Sequence, residues 1–113
     1  MQINQNIFRA YDIRGIASKD LSDEFVTSLG SALSHKIKKL GLKQVVVARD
    51  GRLSGARICS TLIESFLDNG INVKNVGMVP SPLLYFAVEK FNTNNGVMIT
   101  GSHNPKEYNG FKI

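Results

Sequence analysis

At 113 residues the chain is one domain at most, and long enough to bury a core. Its 42% hydrophobic content excludes a disordered tail, and no run approaches the roughly 20 apolar residues of a membrane span. The net charge of +5 admits an anionic partner, nucleic acid or a phosphorylated small molecule, without choosing between them.

Residues 1–7 are polar and lack the charged and apolar regions of a secretory signal. Cys59 is the only cysteine and cannot pair within the chain, so a reducing cytoplasm is the expected compartment. From Ile7 to Ile16 the sequence reads as an extended segment that ends in a glycine turn at Gly15. It carries more charge than a core strand, as a strand ending in a cleft would. Arg14 beside that glycine suits a phosphate, because guanidinium forks onto oxyanions; on spacing alone a structural pair between Asp12 and Arg14 or Arg9 is the reading favoured.

The next segment predicts a helix. Leu21 and Ser22 supply a staple and an N-cap, and Asp23 and Glu24 fill the first turn. Phe25, Val26, Leu29, Ala32, Leu33, Ile37 and Leu40 recur at helical spacing, with Gly41 as the stop. His35 falls on the polar side and reads as a solvated histidine, and Lys36, Lys38 and Lys39 complement the helix dipole.

Val45-Val46-Val47-Ala48 is a continuous apolar run rich in β-branched residues, which predicts a strand covered on both faces. Arg49-Asp50-Gly51-Arg52-Leu53-Ser54-Gly55 follows at its C-terminal end, where α/β proteins collect ligand-binding loops. Its arginines could bind a phosphate or lock the loop through ion pairs with Asp50, and the internal lock is the reading favoured. Ser54 is a candidate N-cap for a helix carried by Ile58, Leu62, Ile63, Phe66 and Leu67, in which Cys59 is a small filler of the core. Further on, Ile71-Asn72-Val73 and Val76-Gly77-Met78-Val79 read as extended. Pro80-Ser81-Pro82 then opens a third helix through Phe91. Asn92 to Gly96 is a turn-rich connector to the apolar run Gly96-Val97-Met98-Ile99.

Strands and helices thus alternate, which predicts an α/β layered domain with a mainly parallel or mixed sheet flanked by helices. Gly110-Phe111-Lys112-Ile113 reads as the start of another strand, so the expectation is a single domain over 1–113 that begins a longer multidomain enzyme.

After the strand at 96–99 comes Thr100-Gly101-Ser102-His103-Asn104-Pro105, a turn that lifts a hydroxyl and an imidazole off a strand end. A serine hydroxyl needs a base, a metal or a strong field to react, and His103, Lys106 and Lys112 are nearby in sequence. Asn104 stands where a Gly-x-Ser-x-Gly elbow needs its second glycine, and no acidic partner completes a Ser-His-Asp set. The loop does not match a P-loop either. On residue pattern alone a simple turn and a reactive loop both stay open.

Four motifs in order go further. Phe8 to Gly15, Arg49 to Gly55, Val76 to Pro80, and Thr100 to Pro105 with Tyr108-Asn109-Gly110-Phe111-Lys112 closely resemble the N-terminal domain of the α-D-phosphohexomutases. The match is to the bacterial phosphomannomutase/phosphoglucomutase branch. The resemblance implies an enzyme, an intramolecular phosphotransferase that interconverts hexose 1-phosphate and hexose 6-phosphate, mannose and/or glucose, through a phosphoserine and a 1,6-bisphosphate. It implies that Ser102 carries the phosphoryl group and, through its phosphate, ligates Mg²⁺. By the same resemblance His103 and Lys112 assist proton transfer or stabilise charge, Tyr11 and Arg14 line the site, and Asn104 shapes the loop; Arg49 and Arg52 are structural or stand behind the site. The family's aspartate loop and its sugar-recognition loops belong to further domains whose motifs this chain lacks, so the chain alone is expected to be inactive. The expected partners are a phosphorylated hexose and those domains, with no nucleic acid and no membrane. Phosphoglucosamine mutase is the alternative within the family; its typical Gly-Thr-Asp-Gly-Ile-Arg-Gly differs from Arg9-Ala10-Tyr11-Asp12-Ile13-Arg14-Gly15. A non-enzymatic module that binds anions or nucleic acid is the alternative outside it.

Overall fold

The computed structural model describes residues 8–9, 12–52, 54–78, 95–100 and 108–112, with the backbone alone at 8–9, 12–14, 16, 108 and 110–112. Among them are strands β1 (Phe8–Arg9), β2 (Asp12–Ile16), β3 (Gln44–Arg49), β4 (Asn72–Met78), β5 (Gly96–Ile99) and β6 (Tyr108–Lys112). The helices are α1 (Ala17–Asp20), α2 (Asp23–Lys39) and α3 (Gly55–Asp68). The strands form one six-stranded sheet in the order β1-β2-β6-β5-β3-β4. β3 runs parallel to both β4 and β5, whereas β5–β6, β2–β6 and β1–β2 are antiparallel. The sheet is therefore mixed, with a parallel block at one side.

Helix α2 starts where capping chemistry places it. Ser22 is extended and its Oγ accepts from the amide of Phe25 at 3.1 Å, while Leu21 and Val26 on either side of the cap are fully buried. Both long helices end in the same way. Gly41 and Gly70 take φ of 78° and 77°, and the residue after each, Leu42 or Ile71, donates back to Ile37 or Phe66. This Schellman pattern satisfies carbonyls that a helix end otherwise leaves unpaired. Beyond its buried face α2 differs from the spacing: Ala32 is exposed and Leu40 is 67% exposed. Leu40 is the C-cap and has already left the helical face that meets the sheet. Leu67 is likewise exposed near the end of α3.

The two helices approach closely through small residues. Gly30, Ser34 and Ser65 are buried between them; the Ser65 hydroxyl donates to the carbonyl of Thr27 and the Ser34 hydroxyl to that of Gly30, each at 2.7 Å. Val45, Val47, Val97 and Ile99 pack in the same cluster as Phe25, Val26, Ile58, Leu62 and Phe66, which joins the sheet to α2 and α3. Val46, Ala48 and Met98 form a second buried cluster on the opposite face, with Val76 packed against it. The prediction that Val45 to Ala48 is covered on both faces is met, since all four are fully buried.

One further difference has a local cause. Gly15 is no turn: it lies buried within β2, opposite Asn109, and the chain bends only after Ile16 to form α1. Arg57 of α3 fixes that short helix by donating to the carbonyls of Ala17 and Leu21, and it pairs with Asp23 at 2.7 Å. The extended segment expected from Ile71 onward is strand β4, and it carries a bulge. Asn75 pairs with Val47 and Gly77 with Ala48, so Val76 is the extra residue, and the Gly77 amide donates to Asn75 Oδ1 at 2.9 Å. The third helix expected from Pro82 to Phe91 lies outside the described residues.

Candidate active site

The parallel block positions the site. After β3 the chain leaves towards α3 and β4 on one side; after β5 it leaves towards β6 on the other. Where successive connections diverge like this, a crevice opens at the C-terminal ends of the strands, and ligands of α/β proteins bind there. The two loops at this point are the one running from Asp50 to Ser54 and the one that starts at Thr100.

Asp50 joins them. Its amide donates to the Ile99 carbonyl at 3.0 Å, extending the β3–β5 ladder by one step. Carboxylate atom Oδ1 accepts from the Arg52 amide at 3.1 Å, a local turn typical of aspartate. Oδ2 accepts from Arg52 Nε at 3.3 Å and from the Thr100 hydroxyl at 2.7 Å. Thr100 is buried, and the Arg52 and Asp50 side chains are largely so. The ion pair expected within the Arg49–Arg52 loop is thus present, between Arg52 and Asp50. Arg49 donates weakly to the Asp50 carbonyl at 3.5 Å and lies against Gly55.

A second bond ties the far side of the same region. Asn109 of β6 is fully buried and its Nδ2 donates to Ser54 Oγ at 2.8 Å. Ser54 immediately precedes α3, as the sequence predicts, but it takes a helical conformation and makes no side-chain cap bond. Its hydroxyl instead serves the buried amide of Asn109, which would lose a hydrogen bond without it. Segment 101–107 is therefore flanked by Thr100 and Asn109, each bonded to the loop that follows β3.

The predicted site residues divide into two groups. Arg14 stands in β2 opposite Gly110, and Lys112 stands in β6 between Asp12 on one side and Met98 on the other. The backbone register thus brings Lys112 beside β5, two residues short of Thr100. Ser102, His103, Asn104 and Tyr11 lie outside the described residues. His35 is exposed on α2, away from this end of the sheet, as expected. Cys59 is buried in α3; loss of solvation pushes its thiol above the ordinary value, and the nearby Arg49 charge offsets part of that. Among the described residues no group of three or more histidine, cysteine, aspartate or glutamate side chains could hold a metal ion.

Sequence reasoning missed Asp50–Thr100 and Ser54–Asn109. The signal available was weak: a threonine and an asparagine flanking the serine loop, each next to an apolar or aromatic strand residue.

The family model described as phosphoglucomutase/phosphomannomutase, alpha/beta/alpha domain I, matches residues 5–113. The chain belongs to the phosphoglucomutase/phosphomannomutase family. It is 50% identical over 111 residues to the phosphoglucomutase of Neisseria meningitidis serogroup B, covering 98% of this chain and 24% of that protein. It is also 50% identical over 108 residues to the phosphomannomutase/phosphoglucomutase of Pseudomonas putida, covering 96% and 23%. A solved phosphoglucomutase/phosphomannomutase family protein from Burkholderia thailandensis superposes with a TM-score of 0.86 at 42% identity, over 97% of this chain and 26% of that one. The chain thus spans about a quarter of the length of the curated relatives it matches. The α/β layered fold expected from the sequence is the fold of this family's domain I.

Proposed function

We propose that this chain supplies the phosphoserine loop of an enzyme that interconverts hexose 1-phosphate and hexose 6-phosphate, with mannose and/or glucose as the sugar. The observation that carries the reading is the match of family domain I over 5–113, a span that includes the sequence Thr100 to Pro105 around Ser102. On this reading residues 1–113 form a single α/β domain, the first of several. The family relatives, each about four times the length of the chain, support the need for further domains.

Ser102 begins as the phosphoserine. A hydroxyl of the bound hexose monophosphate attacks its phosphorus; the new sugar O–P bond forms as the serine Oγ–P bond breaks. The hydroxyl proton passes to His103 or Lys112, and the Ser102 alkoxide leaves with its charge stabilised by neighbouring cations. The resulting 1,6-bisphosphate turns over and returns its other phosphoryl group to Ser102, so the serine ends as it began. Arg14, with Tyr11 and Asn104, orients the phosphate and the loop. The metal of this reading is Mg²⁺, which when bound would neutralise charge on the transferring phosphoryl group. Among the described residues no group of side chains could hold it; on this reading the phosphate on Ser102 would ligate it, together with residues of further domains.

Among the described residues no helix is long and apolar enough to cross a membrane. Cytoplasmic action on a soluble phosphorylated sugar accords with this. The test uses the full-length protein that contains this chain, with glucose 1-phosphate and mannose 1-phosphate in the presence of Mg²⁺. Wild type should form the 6-phosphates, and Ser102→Ala should lose turnover while still binding substrate. Turnover retained by Ser102→Ala would overturn the assignment. Polyanion binding that survives this substitution and weakens steeply with salt, with no turnover by wild type, would favour the anion-binding alternative.

A further inference from the structure

Two hydrogen bonds run between the loop after β3 and the residues Thr100 and Asn109, on either side of segment 101–108. We propose that Asp50 and Ser54 are positioning residues for the serine loop: Asp50 fixes its start through the Thr100 hydroxyl, and Ser54 fixes its return through Asn109. This inference rests on the reading of Ser102 as the phosphoryl carrier.

The argument is one of geometry and cost. Thr100 and Asn109 are buried polar side chains on either side of the eight-residue interval 101–108 that brings the chain from β5 to the body of β6. Burying a hydroxyl and an amide at these two points is unfavourable unless each finds a partner, and both partners lie on the same short loop, four residues apart. Asp50 is itself held on several sides: its amide by the Ile99 carbonyl, and its carboxylate by the Arg52 amide, the Arg52 guanidinium and the Thr100 hydroxyl. The acceptor that meets Thr100 is thus rigid and charged, which makes the bond short and directional. An apolar pair would fill the same space without fixing direction. A serine that must be both donor and acceptor of a phosphoryl group needs its oxygen placed in line with the incoming hydroxyl. Displacement by about 1 Å at such a centre costs on the order of a hundredfold in rate.

The test uses the full-length protein. Thr100→Val removes the hydroxyl and keeps the shape, whereas Thr100→Ser keeps the hydroxyl. Thr100→Val should lower kcat on glucose 1-phosphate on the order of ten- to a hundredfold with KM little changed, and Thr100→Ser should restore most of it. Ser54→Ala, at a half-buried position that leaves the hydrophobic core intact, should act in the same direction and guards against a Thr100→Val protein that does not fold. Amide hydrogen exchange of the peptide spanning 101–107 gives a readout independent of turnover: it should quicken in Thr100→Val and in Ser54→Ala, and not in Thr100→Ser. A loss of thermal stability with unchanged kcat and unchanged exchange of this peptide would overturn the proposal. Wild type without hexose phosphate turnover would overturn the mutase reading alone, and the exchange experiment would then still decide whether the clamp orders the loop.

Discussion

The close approach of α2 and α3 makes Gly30→Ala a sharp test of how these helices pack. A methyl group built on Gly30 would stand 2.5 Å from Ser65 Cβ and closer still to its hydroxyl oxygen. The first of these neighbours is anchored to the α3 backbone and cannot swing aside, so the helices must separate. Overpacking of this kind costs about 1–3 kcal/mol. Loss of the Ser65 bond to the Thr27 carbonyl adds about 1 kcal/mol, and the better helix propensity of alanine returns about 1 kcal/mol. The net destabilisation is about 1–3 kcal/mol, or a fall in Tm of roughly 4–8 °C per kcal/mol for a domain of this size. Ser65→Gly removes both offending atoms and by itself costs about 1–1.5 kcal/mol through the lost bond and helix propensity. The double variant should therefore recover at least about 1 kcal/mol relative to the sum of the two single changes. Thermal and urea unfolding of the four proteins close the cycle. Additive effects, or a Gly30→Ala protein as stable as wild type, would show that the helices do not meet through these two residues.

Ser22→Ala removes the acceptor that caps α2 and should cost about 1 kcal/mol in urea unfolding, with Ser22→Asp close to wild type. Cys59 gives a pH prediction. Its folded thiol titrates above the ordinary value of 9.0, chiefly through desolvation, so above that value the folded state holds more protons than the unfolded state. Its contribution to stability is complete below about pH 9 and falls as pH rises from there through the raised folded value. Cys59→Ala should lose less stability than wild type between pH 8 and pH 10, by urea unfolding at each pH. Equal losses would remove Cys59 as a source of the alkaline sensitivity.

Local chemistry made α2 and β3 readable. Ser22 with Asp23 and Glu24 marks a start, Gly41 a stop, and Val45 to Ala48 can only be a strand buried on both sides. What joins the elements was harder to read. Gly30, Ser34 and Ser65 look like polar or neutral positions in any periodic count, yet they are buried because two helices touch there. Apolar runs carry no direction, so nothing in the sequence distinguished antiparallel β6 from a parallel strand. The four residues of α1 are too few to show a period. At the site, the motifs around Ser102 led to the proposed chemistry through family resemblance, while the bonds from Asp50 to Thr100 and from Asn109 to Ser54 join residues 50 and 55 positions apart and leave no local pattern.

The bulged strand β4 has a consequence for association. Among the described residues it is an outer strand of the sheet, and the edge of an outer strand is a template for another chain when it is flat. The extra residue Val76 twists the ladder, and Asn72, Lys74 and Asn75 are exposed along it. A foreign strand added here would meet a broken hydrogen-bond register and would have to strip water from a lysine. The bulge thereby disfavours extension of the sheet beyond β4 by a strand in regular register.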